Sequence, residues 1–111
     1  ITIADIQNGI LRSDPTAARD FTLPTAALAV AGTPGCNVGD CIDFHIINLG
    51  TAGEDETITV VTASGATLIG FMGVENSAAT HDAFSVGSGM FRLQFTNVTA
   101  SSEAYDLIRL A

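Results

Sequence analysis

The stretch that decides the fold is residues 88–110, SGMFRLQFTNVTASSEAYDLIRL. It reads as two strands joined by a short polar turn, because apolar and polar residues alternate on either side of that turn. Alternation with polar neighbours favours core positions for five of the phenylalanine rings, Phe21, Phe44, Phe71, Phe91 and Phe95. We therefore predict that this stretch is a hairpin in the hydrophobic core of a β-rich domain.

Working outward, three more stretches have strand character. Apolar and polar residues alternate from residue 40 to 47, residues 57–62 are β-branched throughout, and residues 66–72 lie between glycines. Five or six strands at this spacing favour an antiparallel arrangement over βαβ units. We predict one domain over residues 1–111, all-β, mainly an antiparallel sandwich or small barrel.

Two short helices are expected near the N-terminus. Thr2 is a candidate N-cap with Gly9 as the stop signal of the first helix. The second has Pro24 near its start, an alanine-rich middle and Gly32 at its end.

The charge balance excludes some partners. The 111 residues carry a net charge of −8, and all four basic residues are arginines. A nucleic-acid binder or a polybasic membrane-surface protein needs a basic face, so we expect neither role. Charged residues make up only 14% of the chain and hydrophobic ones 47%, which suits packing against neighbouring subunits.

The two cysteines lie close together in the sequence GCNVGDC, at Cys36 and Cys41. They either form a disulfide or remain free thiols, since the redox compartment decides between these alternatives. With His45 they have the spacing C-x4-C-x3-H, and His81, the other histidine, is a candidate fourth zinc ligand. Structural zinc sites usually have two close-spaced ligand pairs, and the second pair is missing here, so we expect no metal.

Candidate reaction centres are weak. Asp43 and His45 lie two apart on one predicted strand, so their side chains share the face that points away from Phe44 and the core. No G-x-S-x-G motif supplies a nucleophile beside them. The acidic run 54–56 lacks the spacing of a calcium loop and is interpreted as a solvated turn. We expect no enzyme activity, no catalytic residue and no cofactor.

Three segments carry a likeness to known proteins. They are GILRSDP (9–15) continuing to LPTAA (23–27); VGD (38–40) and IDFHIIN (42–48) followed by ETITV (56–60); and FRLQFTNVT (91–99) with SEAY (102–105). In this order they resemble small virion proteins of tailed bacteriophages, in particular β-rich capsid decoration (cement) proteins.

The resemblance implies a structural protein on the outer capsid surface of a virion. Such proteins commonly form homotrimers that bind the major capsid protein and tie neighbouring capsomers together. Residues 1–21 would then reach out as an extended N-terminal arm, with Arg12 and Arg19 as contacts to the capsid or to another subunit. The alternative is a receptor- or glycan-binding module of a tail fibre or other surface appendage, with recognition by Tyr105, His81 and the loop 74–88.

Overall fold

The computed structural model describes residues 1–51, 56–76 and 87–111 and shows a mostly β fold with two sheets and two short helices. The helices are α1 (Ile3–Gln7) and α2 (Ala26–Ala31), and the strands are β1 (Ile10–Ser13), β2 (Arg19–Thr22), β3 (Cys41–Asn48), β4 (Ile58–Val61), β5 (Ala66–Ile69), β6 (Gly73–Val74), β7 (Ser88–Asn97) and β8 (Ala104–Arg109). The predicted β-rich class is confirmed, as are both helices.

The helices form where capping residues begin them. Thr2 and Asp5 make a capping box, in which each side chain accepts a hydrogen bond from the backbone N–H of the other residue. These bonds to Thr2 hold the pKa of Asp5 below its ordinary value. The Thr25 side chain caps α2 by accepting from the Leu28 backbone, and the helix ends at Gly32.

The strands form two sheets with the orders β1-β3-β7-β8-β5 and β2-β4-β6. Three strand pairs are parallel, β1–β3, β2–β4 and β5–β8, and three are antiparallel. The prediction of a mainly antiparallel arrangement is therefore corrected for the described part of the chain. The connection from β1 to β3 contains β2 and α2, and a crossover of that length allows parallel pairing.

Residues 1–21 fold onto the rest of the protein. They form α1, β1 and most of β2, and both of these strands pair with later ones. Ile6 is fully buried and Leu11 nearly so, which makes this segment part of the core.

The hydrophobic core is formed by one face of the five-stranded sheet and by residues of the helices and of the smaller sheet. Phe44 and Phe91 stack on neighbouring strands, with ring centroids 5.6 Å apart. The sequence also predicted Phe71 as a core residue, and this was wrong, because its side chain is 53% exposed. Gly70, at φ +94°, interrupts the strand alternation just before it. The buried hydrophobic residues are Ile6, Leu11, Leu23, Ala26, Ala29, Phe44, Ile46, Ile58, Val60, Val74, Phe91, Leu93, Phe95, Tyr105 and Leu107.

Tyr105 joins the sheet to the segment that leads into α2. Its ring is fully buried, its hydroxyl donates a 2.7 Å hydrogen bond to the Pro24 carbonyl, and burial raises its pKa. Replacing Tyr105 with Phe leaves this buried carbonyl without its donor, so we expect the free energy of unfolding to fall by about 2 kcal/mol.

Urea titration of the Tyr105→Phe variant checks this value. Thr59→Val is the control, because it removes an exposed hydroxyl and should change stability by less than about 0.5 kcal/mol. Equal stabilities for the two variants would contradict the assigned role of the tyrosine hydroxyl.

Candidate interaction surface

The side of the five-stranded sheet that faces away from the core is exposed, and we call it the open face. Strand alternation places His45 here, because its neighbours Phe44 and Ile46 point into the core. The strand register then aligns three rows of four residues each, and the first row ends at Leu110, the residue after β8, whose N–H donates to the Met90 carbonyl. The rows are Ile10, His45, Met90 and Leu110; Asp43, Arg92, Ile108 and Ile69; and Cys41, Gln94, Asp106 and Thr67. Arg12, Ile47 and Ser88 lie in a further row beside the first, on the side away from the second, and also belong to the open face.

Large apolar side chains are exposed on this face. Ile10 is 55% exposed, Ile69 44% and Leu110 40%, while Met90 and Ile108 are half-buried. They lie among polar residues, so the face is neither a second core nor an ordinary charged surface.

An ion pair occupies the middle of the open face. Nε and Nη2 of Arg92 donate to the two carboxylate oxygens of Asp43 at 2.7 and 2.9 Å, a bidentate geometry. These hydrogen bonds lower the pKa of Asp43 and raise that of Arg92. Both side chains are more than one-third exposed, so solvent screens the pair.

The lowered pKa of Asp43 makes the ion pair sensitive to acid. A carboxyl with a depressed folded-state pKa stabilises the protein above its unfolded-state pKa, and that contribution is lost as the pH falls through the folded-state value. We therefore expect the loss of stability between about pH 5 and pH 2 to be smaller in Asp43→Asn than in the wild type.

Denaturant titrations across this pH range measure the difference. Asp14→Asn is the matched control, because Asp14 is exposed and lies outside the ion pair. Identical pH dependence of the wild type and Asp43→Asn would show that the pair adds nothing to stability.

The structure places Asp43 and His45 on one face, as the sequence predicted. Both oxygens of Asp43 accept from Arg92, however, so the hydrogen bonds of this carboxylate are directed at the arginine rather than at the imidazole. The pairing therefore gives no support to a carboxylate–histidine relay.

The two cysteines are free thiols in the structure. Cys36 is half-buried against the core, and Cys41 is exposed at the start of β3. Within residues 1–51, 56–76 and 87–111, no three His, Cys, Asp or Glu side chains come together as metal ligands. His81, the fourth ligand considered from the sequence, lies outside the described residues.

The two arginines predicted as contacts lie on different sheets. Arg12 is exposed on β1 and belongs to the open face. Arg19 is exposed at the start of β2, where its Nη1 donates to the Ala18 carbonyl at 3.2 Å. The fold therefore assigns the two residues to separate surfaces.

A buried polar cluster links the two sheets, and the sequence did not reveal it. The side-chain amide of Asn48 donates to the carbonyls of Glu56 and Val74 at 2.6 and 2.9 Å, and its oxygen accepts from the Gly50 backbone at 2.8 Å. Glu56 is only 7% exposed, so the predicted solvated turn is corrected at this residue. The side-chain amide of Asn76 donates to the carboxylate of Glu56 at 3.5 Å. Residues 54 and 55 of that turn lie outside the described ranges.

Two shallow grooves flank α1. One, of about 320 Å³, lies between α1 and the edge strands β1 and β2, and Asp5 lines it. The other, of about 390 Å³, is mainly apolar and is lined by Ile3, Leu23 and Leu28. Asn8 and Arg12 also line the first groove, but the carboxylate of Asp5 is engaged in capping α1.

The structure removes Tyr105 from the residues that could bind a glycan. Tyr105 is fully buried, so its ring is inaccessible to a sugar, and the prediction that it is exposed was wrong. Of the loop 74–88, residues 74–76 are buried, and residues 77–86, with His81, are outside the described ranges.

Neither described helix is long enough to cross a bilayer. No family model, no curated protein and no solved structure matches the chain.

Proposed function

We propose that the chain is a structural protein of a bacteriophage virion, which decorates and stabilises the outer capsid surface as a homotrimer bound to the major capsid protein. The observation that carries the proposal is that several large apolar side chains are exposed on the described part of the chain, whose sequence has few charges. Those that are at least 40% exposed are Ile10, Leu28, Val38, Leu49, Ile69, Phe71 and Leu110. Such side chains favour contacts with other proteins, the shell as well as neighbouring subunits.

The location of the residues that carry the resemblance supports the same proposal. They fall on β1, β3, β4, β7 and the start of β8, and around the start of α2. The likeness to decoration proteins therefore concerns the sheets and the core, which is what a structural function requires.

We also propose that the two sheets pack as a sandwich. The core combines Phe44 and Leu93 of the larger sheet with Ile58 and Val60 of the smaller one. A rigid two-layer body is suited to bridging neighbouring capsomers, because it resists deformation when the shell is under load.

Repetition strengthens weak contacts. A decoration protein occupies many equivalent positions, and each trimer engages the shell through three copies of one contact, so avidity replaces a single strong anchor. Arg19, exposed on β2, is a suitable contact for a shell carboxylate. The net charge of −8 keeps free subunits soluble until they bind.

Gradient-purified particles from the source of the gene provide the test. We expect quantitative mass spectrometry to find the chain in amounts comparable to the major capsid protein, and immunogold labelling to cover the heads evenly. Particles that lack the chain would contradict the proposal. Labelling confined to the tail would instead support the receptor- or glycan-binding alternative.

A further inference from the structure

The open face has a charge balance that differs from that of the rest of the protein. Arg12 and Arg92 are matched by Asp43 and Asp106, so its formal charge is zero. Of the other described residues that are at least partly exposed, two are arginines and five are carboxylates, so the acidic excess of the described surface lies outside the open face; the carboxylates are Asp5, Asp14, Asp20, Asp40 and Glu103. Copies that met through those other surfaces would repel one another on average, whereas two open faces would not.

The open face of one copy also carries the charged and apolar groups that the open face of another copy could bind. Arg12 and Asp106 make no ion pair within the described part of the chain, and they lie on strands separated by β3 and β7. An arginine of one copy thus has a carboxylate available on another. Between them run the exposed apolar side chains of the first two rows, including Ile10 and Ile69.

The size of the face is adequate for a specific contact. The five strands have four to ten residues each, and at about 3.3 Å per residue and 4.8 Å between strands they cover roughly 500 Å² in projection. Side-chain relief makes the accessible area larger than this projection, which suits an interface at the smaller end of the specific ones, about 600 Å² on each partner.

We propose that the open face is the contact between copies of this chain. The inference rests on the homotrimer of the proposed function, in which the open faces of the three subunits face the threefold axis. The apolar rows then become buried around the axis, and the arginines and aspartates pair between neighbours. The rest of the surface, with its acidic excess, remains available to solvent and shell.

Glutamate substitutions on the open face test this assignment. Ile10→Glu and Ile69→Glu place a charge where a neighbouring copy would bury it, yet both side chains are exposed in the single chain, so folding should persist. Val38→Glu is the matched control, because Val38 is 63% exposed in the loop before β3, outside the open face. Circular dichroism and urea titration verify that each variant is folded.

Sedimentation equilibrium over a wide concentration range gives the mass of each protein. We expect the wild type and Val38→Glu at three times the chain mass, and at least a tenfold weaker association for Ile10→Glu and Ile69→Glu. A wild-type monomer at every concentration would overturn the inference. Trimers that survive in both open-face variants would also overturn it, while leaving the homotrimer intact. A dimer that dissociates in the variants would retain the open face as the contact and contradict the trimer.

Failure of this inference and failure of the proposed function are distinguishable. The sedimentation result concerns the purified chain alone, whereas the particle experiment asks whether the chain is on the capsid. A self-associating protein that is absent from particles would leave the inference standing without the function.

Discussion

Replacing Gly65 with alanine is expected to lower the free energy of unfolding by about 3 to 4 kcal/mol. Gly65 has φ +84°, and an added Cβ would lie 2.5 Å from the Cβ of Ala26 and 2.7 Å from the carbonyl oxygen of Glu103. The substitution therefore has two costs. The alanine backbone is strained in the left-handed conformation, and its Cβ clashes with both the start of α2 and the residue before β8. Ala26 is buried and donates to the Ser64 carbonyl, so the helix cannot move away freely.

Gly9→Ala is the matched control. Gly9 has nearly the same backbone angle, φ +86°, but nothing lies within 4 Å of its added Cβ. Only the strain remains, and the expected loss is about 1 kcal/mol. Urea or guanidinium titration of both variants isolates the packing contribution as the difference between the two losses. Equal losses would show that α2 is not held tightly against this loop.

Replacing Asn48 with alanine is the other large effect that we expect, a loss of about 3 to 5 kcal/mol. Asn48 is 3% exposed, and its side chain satisfies three backbone groups, at Gly50, Glu56 and Val74. Alanine leaves these groups without their partner at the junction of the two sheets. The loss is therefore larger than that of an ordinary surface hydrogen bond.

Asn97→Ala supplies the comparison for Asn48→Ala. Asn97 is half-exposed, and its side-chain oxygen accepts one local bond, from the Thr99 backbone at 2.9 Å. We expect it to lose about 1 kcal/mol or less. Thermal and urea unfolding of the two variants should differ clearly, and similar losses would mean that Asn48 does not connect the sheets as described.

Local patterns predicted the elements whose causes are local. The alternation around Phe44 placed its ring in the core, and Thr2 began the first helix as expected. The β-branched run at 57–62 contains β4. In each case neighbouring residues alone determine the conformation, so the sequence contains the necessary information.

The elements that were missed depend on distant partners. β2, with the sequence RDFT, has no clear apolar pattern and is extended because it pairs with β4, which begins more than thirty residues later. β6 has only two residues, one of them Gly73, and also forms through pairing with β4. Glu56 lies in a charged run that indicates solvent exposure, yet it is buried beside Asn48.

The candidate surface was predictable only in part. Alternation in β3 predicted that His45 faces away from the core, and this is confirmed. The rows that join Ile10 to Leu110 or Asp43 to Ile69 depend on the order and register of five strands, which the sequence does not specify locally. The charge balance of the open face therefore could not be predicted from local sequence patterns.

A cryo-electron microscopy reconstruction of the native particle tests the central claim most directly. The account predicts density for this chain on the outer capsid surface, grouped in threes, with the open faces of the five-stranded sheets turned toward one another. Isolated copies with that face exposed to solvent, or particles without the chain, would contradict it.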